Sequence, residues 1–159
     1  MNVKLLDSLI MGPALRMLPM MMDSPEARLM LAAIALQESG LRFRKQIRGP
    51  ARGWWQFEEI AVREVAQHRS STKHYHTTCE LLEFDAHTKM MHEAIAYNDT
   101  MAFVIARLFL WRVPEALPAV GDEDGAWRQY VRTWRPGKPH PQRWPALYQR
   151  AMVELGLTS

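Results

Sequence analysis

A mainly α, single-domain fold is predicted by three features of the chain. Apolar residues recur at helical spacing through most of its length. Strand-like alternation never persists, and no segment repeats. The 159 residues suit one domain and are awkward for two.

Residues 1–22 read as an amphipathic N-terminal helical extension. Lys4 and the Leu and Met residues imitate a signal peptide, but Asp7, Gly12, Pro13 and Arg16 interrupt the apolar run and no small-residue cleavage site follows. Ser24-Pro25-Glu26 is a helix start, with an N-cap serine and proline at the first helical position. Leu29, Met30, Ala33, Ile34 and Gln37 continue that helix, and Gly40 ends it. A basic loop from Leu41 to Arg52 follows, with a small irregular or β-like patch expected between Leu41 and Trp55. Phe57, Ala61, Val62, Val65 and Ala66 describe the next helix. The polar stretch from His68 to Thr78 reads as a loop, and helical patterns resume at Thr78–Phe84 and Ala86–Tyr97.

Asp99 is placed to cap the segment Met101–Trp111, which is apolar except for Arg107 and reads as the buried centre of the domain. Asp124 is placed to cap a helix carrying Trp127, Tyr130, Val131 and Trp134 on one stripe. Residues 135–145 hold four prolines and predict an extended Pro-rich loop. A last helix follows Pro145, with Leu147, Ala151 and Leu155 inward.

Composition narrows the function classes. A single cysteine, Cys79, excludes an internal disulfide framework and reads as a small core residue. No apolar run reaches the ~18 residues of a membrane span. His74-Tyr75-His76, with His68, His87 and His92, lacks the spacing of a recognised metal site, so no metal or cofactor is expected. Basic residues segregate: five between Ser39 and Phe57 and six between Gly125 and Val153, with no acid in either stretch. Such runs suit a polyanionic partner or a solvated surface. Because most lie in loops and not along one helical face, nucleic acid is not the expected partner.

The chemistry-bearing stretch is Gln37-Glu38-Ser39-Gly40 followed by Gly49-Pro50-Ala51-Arg52-Gly53-Trp54-Trp55-Gln56-Phe57. Glu38 stands at the C-terminal end of an otherwise apolar helix. Apolar neighbours and the negative end of the helix dipole both raise a carboxyl pKa. A carboxyl kept protonated near neutrality can protonate a leaving oxygen; a surface Glu on a last helical turn is the plainer alternative.

Glu-Ser-Gly at a helix end, then a loop, then Ala-x-Gly-apolar-apolar-Gln, resembles the soluble lytic transglycosylases and goose-type members of the lysozyme-like superfamily. The resemblance implies a lysozyme-like fold and assigns catalytic acid/base duty to Glu38. It places Ser39, Trp54, Trp55 and Gln56 in a glycan-binding cleft, with Tyr130 as the bordering tyrosine. Val131 stands where the family has Asn, and Trp54-Trp55 replace Leu-Met.

The implied substrate is the β-1,4 bond between N-acetylmuramic acid and N-acetylglucosamine of a peptidoglycan strand. No acid lies between Glu38 and Glu58, so a one-carboxylate transglycosylase route is favoured over two-carboxylate hydrolysis. Glu58 and Glu59 are better explained by the positive end of a helix dipole. Trp54, Trp55, Trp127, Tyr130 and Trp134 are candidates to line the glycan groove, at least half of them being core residues instead.

The lack of an evident signal peptide, with the Trp excess, resembles bacteriophage or prophage wall-degrading proteins. These would be made in a host cytoplasm and delivered by another component, with virion or lysis partners. The alternative is a non-catalytic phage structural or wall-binding protein that keeps the fold.

Overall fold

The structure, a computed structural model, describes residues 1–158. It is mainly helical; among the described residues no sheet forms, and the β-like character near Leu41–Trp55 reduces to two isolated antiparallel bridges, Lys45–Arg52 and Arg52–Phe57. No described helix is long and apolar enough to cross a membrane.

The chain opens with α1 (Val3–Leu6), a π-helical turn (Asp7–Met11) and α2 (Gly12–Leu15). Pro13 has no N–H to donate, and the wider turn just before it carries the Gly12 N–H to Asp7 O, five residues back. Val3, Leu6, Ile10, Met11, Ala14 and Leu15 are buried in the same core as the rest of the molecule. Residues 1–22 are therefore part of the core and not an appended extension. Of the three consecutive methionines, Met22 is buried while Met20 and Met21 are exposed.

α3 (Pro25–Ser39) begins as expected: Ser24 Oγ accepts from Ala27 N at 3.2 Å. It ends at Gly40, whose φ of 60° is the left-handed C-cap conformation that glycine adopts at least cost. α4 (Glu59–Gln67), α5 (Thr72–Leu81) and α6 (Thr88–Ala94) follow. α5 replaces the loop expected over His68–Thr78. Most of its polar side chains face outward, and Tyr75, Thr78 (its hydroxyl donated to His74 O) and Cys79 supply the narrow stripe that buries it. On this helix His74 and His76, two residues apart, point to different faces.

α7 (Asp99–Trp111) is the central helix, buried from Met101 to Leu110 and packed against α2, α3, α4 and α5. Its cap is Asn98, not Asp99: Asn98 Oδ1 accepts from Met101 N at 2.9 Å. Asp99 instead takes both Nε and Nη2 of Arg44, at 2.8 and 2.7 Å. Asn98→Ala is therefore expected to cost about 1 kcal/mol of stability, read as a lower urea midpoint at unchanged slope. An unchanged midpoint would reassign the cap.

α8 (Glu123–Trp134) is likewise capped earlier than expected, two residues upstream, by Asp122, whose Oδ1 accepts from Gly125 N at 2.9 Å; Asp124 lies inside the helix. After the loop at 135–140 a single 3-10 turn (Pro141–Arg143) leads into α9 (Trp144–Glu154), which packs along α3.

Candidate active site

Glu38 sits on the last turn of α3, half-buried, and Tyr130 of α8 donates its hydroxyl to Glu38 Oε1 at 2.6 Å. Among the described residues no donor reaches Oε2 and no cation lies within ion-pair distance of Glu38. Burial raises the Glu38 pKa above its ordinary 4.5, and the hydrogen bond from Tyr130, which favours the charged form, only partly opposes it. No second carboxylate contributes to that shift. The Tyr130 phenol is itself pushed up by burial and by the Glu38 charge and hydrogen bond, against a smaller opposing field from Arg143. All but the last of these effects favour the neutral phenol, the form that donates to Glu38.

Tyr130 is held by stacking. Its ring lies parallel to Trp144, with centroids 5.2 Å apart and planes 5° apart, and Trp127 packs against both rings. Trp144 opens α9 and is not among the residues the sequence predicts at the site; its position within the Pro-rich stretch 135–145, next to Pro145, is the one sequence signal that points to it. That loop is tied to the residue next to Glu38. Gln37 Nε2 donates to Pro139 O at 2.5 Å and to His140 O at 3.3 Å.

The second motif folds into a tight loop behind Glu38. Ser39 Oγ lies 2.7 Å from Trp54 O and 2.9 Å from Ala35 O, and accepts from Leu41 N at 3.2 Å. Trp55 Nε1 donates to Leu31 O at 2.8 Å, and Trp134 Nε1 donates to Trp55 O at 3.2 Å. His92 Nε2 lies 3.0 Å from Phe57 O.

These bonds place Ser39, Trp54 and Trp55, expected as sugar contacts, behind the site. All three are buried, Trp55 completely, and the Ser39 hydroxyl is occupied by backbone. Trp54 is in addition covered by the Arg44 guanidinium, 4.1 Å from its ring centroid. They hold the site in shape; a sugar has no access to them in this conformation. Trp127 and Trp134 are half-buried.

Gln56 is the member of the loop that keeps free polar capacity. It adopts φ 51°, a left-handed backbone that costs a non-glycine residue roughly 1 kcal/mol or more. Its Nε2 donates to Gly53 O at 2.8 Å, and no described donor reaches its Oε1.

The basic loop is pinned on one side by Arg44–Asp99, by Lys45 against the Tyr97 hydroxyl and by Arg52–Glu93 at 3.8 Å. Arg42 and Arg48 are exposed without ion pairs among the described residues. No protein-family model, curated protein or solved structure matches the chain.

Proposed function

We propose that this protein cleaves the glycosidic bond between N-acetylmuramic acid and N-acetylglucosamine in peptidoglycan, as a lytic transglycosylase of the lysozyme-like type with Glu38 as its general acid and base. The observation that carries the reading is the Glu38–Tyr130 pair: a half-buried carboxyl of raised pKa, without a cation, with one oxygen oriented by a phenol and the other unengaged.

In the proposed reaction neutral Glu38 gives its proton to the glycosidic oxygen as the bond to the muramyl C1 breaks. The muramyl acetamido oxygen stabilises the developing positive charge at C1. The resulting Glu38 carboxylate then takes the proton of the muramyl C6 hydroxyl, whose oxygen closes onto C1 to give a 1,6-anhydro ring. The proton returns to Glu38, and no water is consumed. In this reading Gln56 Oε1, which no described donor engages, accepts from a sugar hydroxyl, and the exposed Arg42 and Arg48 meet stem-peptide carboxylates.

The test is digestion of purified murein followed by mass analysis of the muropeptides. Anhydro ends are expected; reducing ends would mean hydrolysis. Inertness of the folded protein would favour the second reading, a wall-binding or structural phage protein of the same fold, which the burial of Trp54 and Trp55 favours.

Turnover that needs protonated Glu38 falls as pH rises through its raised pKa. Tyr130→Phe removes the hydrogen bond that favours the carboxylate, so the Glu38 pKa rises further and the alkaline limb of the pH–rate profile moves to higher pH. A limb that stays in place would remove Tyr130 from this role.

A further inference from the structure

At the N-terminal end of α3, the end remote from Glu38, a cavity of about 850 Å³ opens, and its lining includes neither Glu38, Gln56 nor Tyr130. Arg107, the one charged residue within the apolar stretch of α7, forms part of its wall and is only 2 % exposed. Its Nε donates to Met22 O at 2.8 Å; no described acceptor takes its Nη groups, and no described carboxylate lies within ion-pair distance.

The half-buried arginines behave differently. Arg28 is paired with Asp7 and Asp23, Arg52 with Glu93 and Arg112 with Glu64. A buried guanidinium with no carboxylate in contact is penalised, and burial pulls the Arg107 pKa down to about 10, opposed only in part by the charge of Asp23, which lies beyond ion-pair distance and is itself paired with Arg28. Trp111, whose ring centroid is 5.2 Å from the guanidinium, gives only partial compensation.

The cavity has the two kinds of wall that an amphipathic ligand needs. Arg69 joins Arg107 as a second arginine without an ion pair, whereas Arg112 is already neutralised by Glu64. Two acids reach the lining: Glu115, paired with Arg132 at 3.3 Å, and Glu26 in the first turn of α3. Beside Arg107 the lining is apolar, with Leu110 and Trp111 one turn further along the same face of α7 and Leu117 from the loop that follows. A bare inorganic anion would leave most of this volume empty, and an uncharged apolar ligand would leave Arg107 unpaired.

We propose that this cavity binds a small amphipathic oxyanion, with a carboxylate or phosphate head on the Arg107 guanidinium and an apolar body against Trp111, Leu110 and Leu117. A planar guanidinium receives either head group bidentately, which is why arginine serves such sites. This second site is independent of the Glu38 chemistry.

The experiment is calorimetric titration of the intact protein with octanoate, octyl phosphate, octan-1-ol and inorganic phosphate, in wild type, Arg107→Met and Leu117→Glu. Saturable binding of one octanoate or octyl phosphate per chain is expected, and the tighter of the two identifies the head group. Octan-1-ol and inorganic phosphate should each bind at least tenfold more weakly, and Arg107→Met should lose at least tenfold in affinity for the acids.

Arg107→Met should also melt at a higher temperature than wild type without ligand, because a buried charge that Asp23 and Trp111 compensate only in part is gone. The acids should raise the melting temperature of wild type alone. If Arg107→Met does not fold, Leu117→Glu decides, because it puts a fixed carboxylate into the cavity from a loop and should abolish binding of the acids. Octanol binding as tightly as octanoate, undiminished acid binding in either folded variant, or no saturable binding to wild type would overturn the proposal.

Discussion

Glu38→Gln is expected to reduce murein cleavage by about a thousandfold or more while making the protein more stable at neutral pH. The first effect follows from the proposed route, in which one carboxyl performs both proton transfers. General acid–base catalysis contributes about 10²–10⁴-fold, and no second carboxylate adjoins Glu38 to take over. The amide keeps an Oε1 acceptor for Tyr130, so the loss reports the proton and not the geometry.

The stability effect has a definite sign. Glu38 has a folded-state pKa raised above its ordinary 4.5. As pH climbs from that value to the raised one, the unfolded chain has released the proton and the folded protein still holds it, so wild-type stability falls across the window. Glutamine does not titrate. The variant should therefore gain over wild type as pH rises, with the gain fading below the ordinary carboxyl range. A scan of melting temperature against pH, set beside muropeptide yields, measures both effects. Cleavage retained in Glu38→Gln would remove Glu38 as the acid. A stability difference that does not change with pH would mean that burial does not hold the proton.

Where local chemistry decides an element, the sequence was enough. Ser24-Pro25 starts α3 and Gly40 stops it through hydrogen bonding and backbone conformation internal to those residues. α7 was legible because a run apolar on every side has nowhere to go but the core. The caps of α7 and α8 were misplaced because two acceptors of similar competence stand close together in each case. Which one caps depends on the other's long-range partner or on where the turn begins, as Asp99 shows by taking Arg44 instead. α5 was missed because only a narrow stripe of it is buried, and polarity outvoted periodicity.

At the site, Glu38 and Gln56 stand out in the sequence as residue types at a spacing. Tyr130, placed at the cleft by the family resemblance alone, lies 92 positions from Glu38, and its approach depends on α9 packing along α3 and α8 packing on α9. The tryptophans were least legible. Indole serves equally as a sugar platform and as core: Trp55 and Trp144 are buried with their Nε1 groups on backbone acceptors, and Trp54 is buried with its Nε1 unpartnered.

Gly53→Ala is expected to be the most destabilising single-methyl change near the site. Gly53 has φ 74°, and a Cβ there would stand 3.2 Å from both Ala102 Cβ on α7 and Ile95 O. The left-handed backbone costs an alanine roughly 1–2 kcal/mol, and the crowding against a buried helix adds roughly 1–3 kcal/mol. Together these correspond to a fall in melting temperature on the order of 10 °C.

The consequence for the site is separable from the loss of stability. Gly53 O accepts both Gln56 N, at 3.1 Å, and Gln56 Nε2, at 2.8 Å, so displacing this peptide moves the one loop side chain with a free acceptor. Cleavage by Gly53→Ala should thus fall even at temperatures where the variant is fully folded. Half of the clash is with a methyl group, so introducing Ala102→Gly should make Gly53→Ala less costly than it is in wild type, beyond the roughly 0.5 kcal/mol within which independent sites add. Additive costs would locate the strain at Ile95 O alone, and an unchanged melting temperature in the single variant would mean that the loop does not pack on α7 in this way.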